Sequence, residues 1–293
     1  SHLGWVEQQE RPDSPVHFIY TAFENASPCN WTIDEEGIVH IELIYDHERN
    51  SPNRANGHWL FQVHAQKGSK VTLCMKNFDN VWNGRQGSPI SDRTHCYLSV
   101  DGKNWNVIKA QKTEDNQLLV PLHMDEEQIY VARMEPYTIS DLNNLINRIK
   151  NHPLVEIETI GQTVEGRDLE IIRVGDPDAP KRVFLRARAH PWEAGGNWVV
   201  PGLIRTMLQN SAEAQQYRER YCVYIMPMAN KDGVARGYTR FNTLGMDLNR
   251  KWDQPADPEL CPENHALEQW LEKMMQQDKK MDVPAVNSPV KVK

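Results

Sequence analysis

The sequence predicts an antiparallel β-sandwich over residues 1–135 followed by an α/β domain over 136–293. Between about 14 and 135, eight short apolar-alternating runs are separated by turn residues, which is the spacing of a sandwich. Beyond 135 the pattern changes, and helical periodicity alternates with compact apolar runs of buried-strand character. A length of 293 residues accommodates two such domains, each with a core of its own.

The eight runs are "HFIYTAF", "IVHIELI", "HWLFQVHA", "KVTLCMK", "HCYLSV", "WNVIKA", "QLLVPL" and "QIYVARM". Lys67-Gly68 marks a turn between the third and fourth, and Asp101-Gly102 marks one between the fifth and sixth. Trp31, Trp59, Trp82 and Trp105 have the chemistry of carbohydrate-stacking platforms. Aromatics on alternating strands more often supply core area, and a core role is expected for them.

"EPYTISDLNNLINRIKNH" (135–152) opens the second domain with a helix, since Thr138 or Ser140 can cap it ahead of Leu142, Leu145 and Ile146 at helical spacing. "LVEIETIGQTVEGRDLEIIRVG" (154–175) reads as two strands joined by a glycine-containing turn. "RVFLRARA" (182–189) is a buried strand, "GGNWVVPGLIRTMLQ" (195–209) the helix after it, and "RYCVYIMPMAN" (220–230) a second interior strand. Over 262–277, Leu267, Trp270, Leu271 and Met274 share one helical face while Glu263 and Glu268 fall among the polar positions. That pattern predicts an amphipathic surface helix whose first turn is capped or decorated by His265. The final "MDVPAVNSPVKVK" holds two prolines, and no central strand is expected there.

His190 and Glu193 stand three positions apart just past the first interior strand. An imidazole and a carboxylate are donors that zinc favours, and the C-terminal end of a strand is where open α/β sheets hold ligands. That spacing alone recurs in many chains. A second segment narrows the reading, because the next strand runs into Asn230, Asp232 and Gly233, then Arg240, Gly245, Asp247, Asn249 and Arg250. An arginine fork binds a terminal carboxylate through two parallel charge-assisted hydrogen bonds that lysine cannot reproduce. Asp247 lies in a tight loop, where a carboxylate more often ties up backbone amides than touches a substrate.

Together, HPWE at 190–193 and N-x-D-G…R…G-x-D-x-N-R at 230–250 resemble the zinc carboxypeptidase family. "HWLFQVHAQKGSKVTLCMKNF" (58–78) and "QIYVARMEPYTISDLNNLINRI" (128–149) resemble its cytosolic subfamily, in which a β-rich domain precedes the catalytic one. The resemblance implies an α/β carboxypeptidase-like fold of mixed sheet and flanking helices, with the sandwich as its folding and docking partner. It implies zinc held by His190 and Glu193, a terminal carboxylate held by Asn249 and Arg250, and oxyanion stabilisation by Arg240. The implied reaction removes C-terminal amino acids from peptides or protein tails, glutamates in the cytosolic subfamily. Trp192 replaces the glycine usual in that subfamily's HPGE, so the shape of the subsite beside the metal is not carried over.

A catalytic zinc takes three protein ligands and one open position. In the family the third ligand is a later histidine and the general base a later glutamate, and neither is recognisable after Arg250, where His265 is the only histidine. The resemblance therefore implies a catalytic domain incomplete at its C-terminus. A truncated or short form, a replaced tail over 281–293, and a site completed by His265 or a partner chain are the three explanations.

A net charge of −7 argues against nonspecific nucleic-acid binding, and no apolar run has the length of a membrane span. Cys29, Cys74, Cys96, Cys222 and Cys261 show no CxxC spacing, so no disulfide framework is expected. The chain opens on Ser1-His2 with no charged head and apolar segment of a signal peptide after them. Asn25-Ala-Ser27 and Asn30-Trp-Thr32 match glycosylation triplets of a frequency that chance explains. A cytoplasmic location is expected, and the sequence does not fix the oligomeric state. Two further readings stand beside the peptidase: a zinc deacylase of N-acyl amino acids, and a noncatalytic module that keeps a carboxylate-recognising loop.

Overall fold

The computed structural model describes residues 13–276 and 281–282. The chain divides into two compact units, one reaching to Pro136 and including Arg236–Thr239, the other comprising Tyr137–Ala235 and the residues from Arg240 onward.

In chain order the first unit's strands begin with β1 (Val16–Tyr20), β2 (Cys29–Ile33), β3 (Val39–Leu43), β4 (Asp46–His47), β5 (Arg54–Ala55), β6 (Leu60–Ala65) and β7 (Lys70–Lys76). They continue with β8 (Asn80–Trp82), β9 (Arg85–Gly87), β10 (His95–Ser99), β11 (Asn106–Lys109), β12 (Gln111–Lys112), β13 (Leu118–His123) and β14 (Gln128–Ala132). Two five-stranded sheets, β1-β6-β14-β10-β11 and β12-β13-β7-β3-β2, share one core, where Val63 and Val131 of the first join Ile41, Leu73 and Val120 of the second. All eight predicted runs are strands of this sandwich. It departs from pure antiparallel pairing at β3 and β7, which run parallel because β6, lying between them in sequence, belongs to the other sheet and makes the connection a crossover. β2 was not legible, since "CNWTI" fully buries only Ile33.

Trp59 is fully buried against Phe78, as a core role requires, and Trp31 packs on the same core. Gly68 and Gly102 take positive φ at the predicted turns. Asn25 is completely buried, which removes it as a glycosylation acceptor. The inserted Arg236–Thr239 segment is bonded into this unit: the Thr239 hydroxyl accepts from the amides of Gly57 and His58, and its own N–H donates to Asp46.

The second unit begins with α1 (Ile139–Ile149), which Thr138 caps in a reciprocal box with Asp141. It continues through β15 (Val155–Gln162), β16 (Asp168–Val174), β17 (Lys181–Arg186), α2 (Gly195–Met207), α3 (Ala212–Arg220) and β18 (Tyr221–Met226). α4 (Lys231–Ala235), α5 (Pro262–Met275) and β19 (Met281–Asp282) complete it. The sheet order is β15-β16-β18-β17-β19, with β17 parallel to β18 and β19, and β16 antiparallel to β15 and β18. Leu267, Trp270 and Met274 of α5 cover one face against Leu169, Phe184 and Tyr224.

Ahead of the first proline of the tail, Met281 and Asp282 pair with Arg182 and Val183 as an edge strand rather than a central one; the remainder of the tail lies outside the described residues. One expectation needs correction here. Glu263, placed among the polar positions of a surface helix, is fully buried. All five cysteines are free, and no helix among the described residues is long and apolar enough to cross a membrane.

Candidate metal centre

β17 and β18 lie side by side, and their backbone pairing persists past both strand ends. Ala187 donates to Met226 O, Ala229 to Ala187 O, and Asn230 to the carbonyl of residue 188. The chain leaving β17 is thereby held against the chain leaving β18, and His190 emerges at the C-terminal end of the parallel pair. Glu193 follows within one turn, its N–H on His190 O, immediately before α2.

His190 is 4% exposed, and its imidazole has a carboxylate on each side. Nδ1 lies 3.0 Å from Glu193 Oε1, and Nε2 lies 3.0 Å from Asp247 Oδ1. Asp247 Oδ2 in turn accepts from Arg240 Nε at 2.8 Å, while Oδ1 also accepts the Asn249 amide at 2.9 Å. The sequence expectation for Asp247 was thus half of its role: it ties up a backbone amide and also joins His190 to Arg240.

Electrostatics follow from that bridge. Burial alone pulls His190 down, but hydrogen bonds to Asp247 and Glu193 outweigh it and leave the imidazole raised. Burial pushes Asp247 up, yet His190, Arg240 and the Asn249 amide together hold it down at about 2. Glu193 Oε2 is buried without a hydrogen-bond partner. A ring nitrogen whose opposite nitrogen is fixed by a carboxylate, beside a carboxylate with an unsatisfied oxygen, suits a bound cation. His190 and Glu193 fit zinc as two of its donors. Among the described residues no cluster of three or more His, Cys, Asp or Glu side chains has metal-holding geometry. His265 sits on α5 with its Nε2 3.0 Å from the Gln269 side chain.

The loop carrying Arg240, Asp247, Asn249 and Arg250 is fixed from within the unit. Asn242 Oδ1 accepts the amides of Leu244 and Met246, and its Nδ2 donates to Leu260 O and Glu263 Oε2. Arg186 and Asn264 both donate to Leu248 O. Burial pushes Glu263 up to about 7, and its Oε1 has no partner. Arg250 is exposed, donates to Asn249 O, and lines a cavity of about 340 Å³ with Met246, Asp247, Lys251 and Asn264. Asn230 and Asp232, grouped by motif with the substrate loop, point to structural partners. Asn230 Oδ1 accepts from Gly233, and Asp232 accepts from Thr163, Arg167 and the Glu165 amide. Asn242, and the buried pairing of Glu263 with it, escaped the sequence reading; a polar pair twenty-one positions apart leaves no periodic signal.

Residues 142–280 match the family model for zinc carboxypeptidases. Over 139 residues the chain is 32% identical to cytosolic carboxypeptidase 2 of Homo sapiens, covering 44% of this chain and 15% of that protein. Over 138 residues it is 35% identical to cytosolic carboxypeptidase 6 of Caenorhabditis elegans, covering 45% and 30%. The chain therefore spans less than a third of the length of these relatives. A metallo-carboxypeptidase from Pseudomonas aeruginosa, solved with (2-guanidinoethylmercapto)succinic acid, shares the fold at a TM-score of 0.77 and 23% identity, over 91% of this chain and 69% of that one. A metallo-carboxypeptidase from Burkholderia cenocepacia does so at 0.77 and 22%, over 88% and 67%. The similarity of this chain to the zinc carboxypeptidase family is carried by residues 142–280.

Proposed function

We propose that the chain carries the His190–Glu193 side of a metallocarboxypeptidase centre that acts on the C-terminal residues of peptides or protein tails. The observation that carries the reading is the continuous relay Glu193–His190–Asp247–Arg240, in which each member is within hydrogen-bond distance of the next. His190 Nδ1 and Glu193 would hold the metal, with Asp247 fixing the ring through Nε2. When bound, zinc polarises a carbonyl and brings the pKa of a water towards neutrality. Arg240, already oriented by Asp247, offers a preorganised positive charge for an oxyanion, and the fork of Arg250 beside Asn249 takes the terminal carboxylate. The cytosolic relatives support a cytoplasmic location, and the acidic net charge argues against nucleic acid as a partner.

Zinc titration of the chain and of His190→Ala tests the metal assignment: the substitution should abolish chelator-sensitive binding, and unchanged zinc content would refute it. Arg250→Lys should weaken peptides with a free C-terminal carboxylate much more than their amides. Equal weakening of both removes Arg250 from the clamp. A second reading, a carboxylate-binding module without hydrolysis, is favoured by the two-donor set among the described residues. Retained peptide binding with no release of free amino acid in the presence of zinc would select it.

A further inference from the structure

The turn that presents His190 and Glu193 is built around a buried cation. Arg188 is 1% exposed and has a left-handed backbone, φ +60°, which is uncommon for a residue other than glycine. Its side chain folds back over the segment it precedes. Nε donates to Pro191 O at 2.5 Å, between the two metal-binding candidates. Nη1 donates to Tyr137 O at 3.0 Å and to Asn197 Oδ1 at 2.9 Å. Asn197 lies in the first turn of α2 and donates onward to Pro227 O just past β18. One guanidinium thus ties the turn to Tyr137 ahead of the α1 cap, to the start of α2 and, through Asn197, to the neighbouring strand end.

We infer that Arg188 is a positioning residue that fixes the spacing between His190 and Glu193 and so sets the chain's affinity for zinc. The inference rests on the proposed metal site. The internal backbone bonds of the turn, Glu193 N to His190 O at 3.2 Å and Ala194 N to Trp192 O at 3.1 Å, stay within it and reach none of the elements that Arg188 ties to it. Lysine retains the charge at this position but cannot reach acceptors in three directions with a fixed fork.

The test compares the full chain with Arg188→Lys, with Asn197→Ser, and with Arg182→Lys as a control. Arg182 is another buried arginine of β17, bonded to Met274 O away from the turn. Zinc itself is the probe, titrated against a competing chelator, with His190→Ala defining the specific component. Arg188→Lys should lose about 10–100-fold in zinc affinity. Without metal, it should exchange the amides of Glu193, Ala194 and Asn197 faster by hydrogen–deuterium exchange, while Arg182→Lys changes neither quantity. Asn197→Ser should show the same pattern at smaller amplitude, and it decides the matter if Arg188→Lys does not fold.

Native-like zinc affinity and exchange in both Arg188→Lys and Asn197→Ser would overturn the inference, as would an equal loss of affinity in the Arg182→Lys control. If the native chain shows no zinc binding that His190→Ala removes, the metal site itself fails. The exchange comparison then still reports whether Arg188 holds the turn.

Discussion

Asp247 is the residue on which the site's geometry converges, since one oxygen faces His190 and the other faces Arg240. Replacing it with asparagine keeps the shape but removes the charge that balances the guanidinium, and leaves one position as an amide donor where two acceptors are needed. Asp247→Asn should therefore weaken zinc binding by about 10–100-fold, as loss of a carboxylate behind a metal-binding histidine does. Competition against a chromophoric chelator measures it, and undiminished affinity would show that His190 needs no anchor. His190 and Glu193, the proposed metal donors, could be singled out once the 230–250 motif was set beside their spacing, because a pair within one turn is local in sequence. The link from His190 to Asp247 could not, since it spans 57 positions and depends on the paired exits of β17 and β18.

Among the elements, α5 shows the same division between what periodicity reveals and what it hides. Its apolar face of Leu267, Trp270 and Met274 was legible and packs as expected on the sheet. Glu263 was misplaced because a helical wheel assigns a carboxylate to solvent by type, whereas the loop around Asn242 closes over the helix start. With its carboxyl pushed up from the ordinary 4.5 to about 7, the folded state holds a proton that the unfolded chain releases between those values. Stability contributed by this group is complete below about 4.5 and is lost as pH rises towards 7, a change on the order of 3 kcal/mol. His190, also raised, loses its contribution in the same direction as pH rises through its folded value, so a comparison of variants is needed to isolate Glu263. In chelator, the melting temperature of the native second unit should fall by roughly 5–10 °C more between pH 5 and pH 8 than that of Glu263→Gln. Parallel pH profiles for the two proteins would mean that Glu263 is ionised in the fold.

For the whole molecule, the sequence showed where strand alternation gives way to helical periodicity near residue 135, because each pattern is repeated many times. The return of Arg236–Thr239 to the first unit had no such signature: "RGYT" is four residues held by backbone amides, a hydroxyl and Asp46. The proposed metal donors His190 and Glu193, with Asp247 and Arg240, all lie in the second unit. A ligand that binds only the folded form stabilises it by mass action, so zinc at about 100 times its dissociation constant adds about 2.7 kcal/mol to the unit that contains its site. Calorimetry should accordingly show a zinc-dependent rise of roughly 5–10 °C in the melting of the second unit, reversed by chelator. His190→Ala should abolish the rise, since it removes a donor without touching the sandwich core. A rise of equal size in His190→Ala would place the stabilising zinc elsewhere on the surface and separate this chain's metal binding from the His190–Glu193 turn.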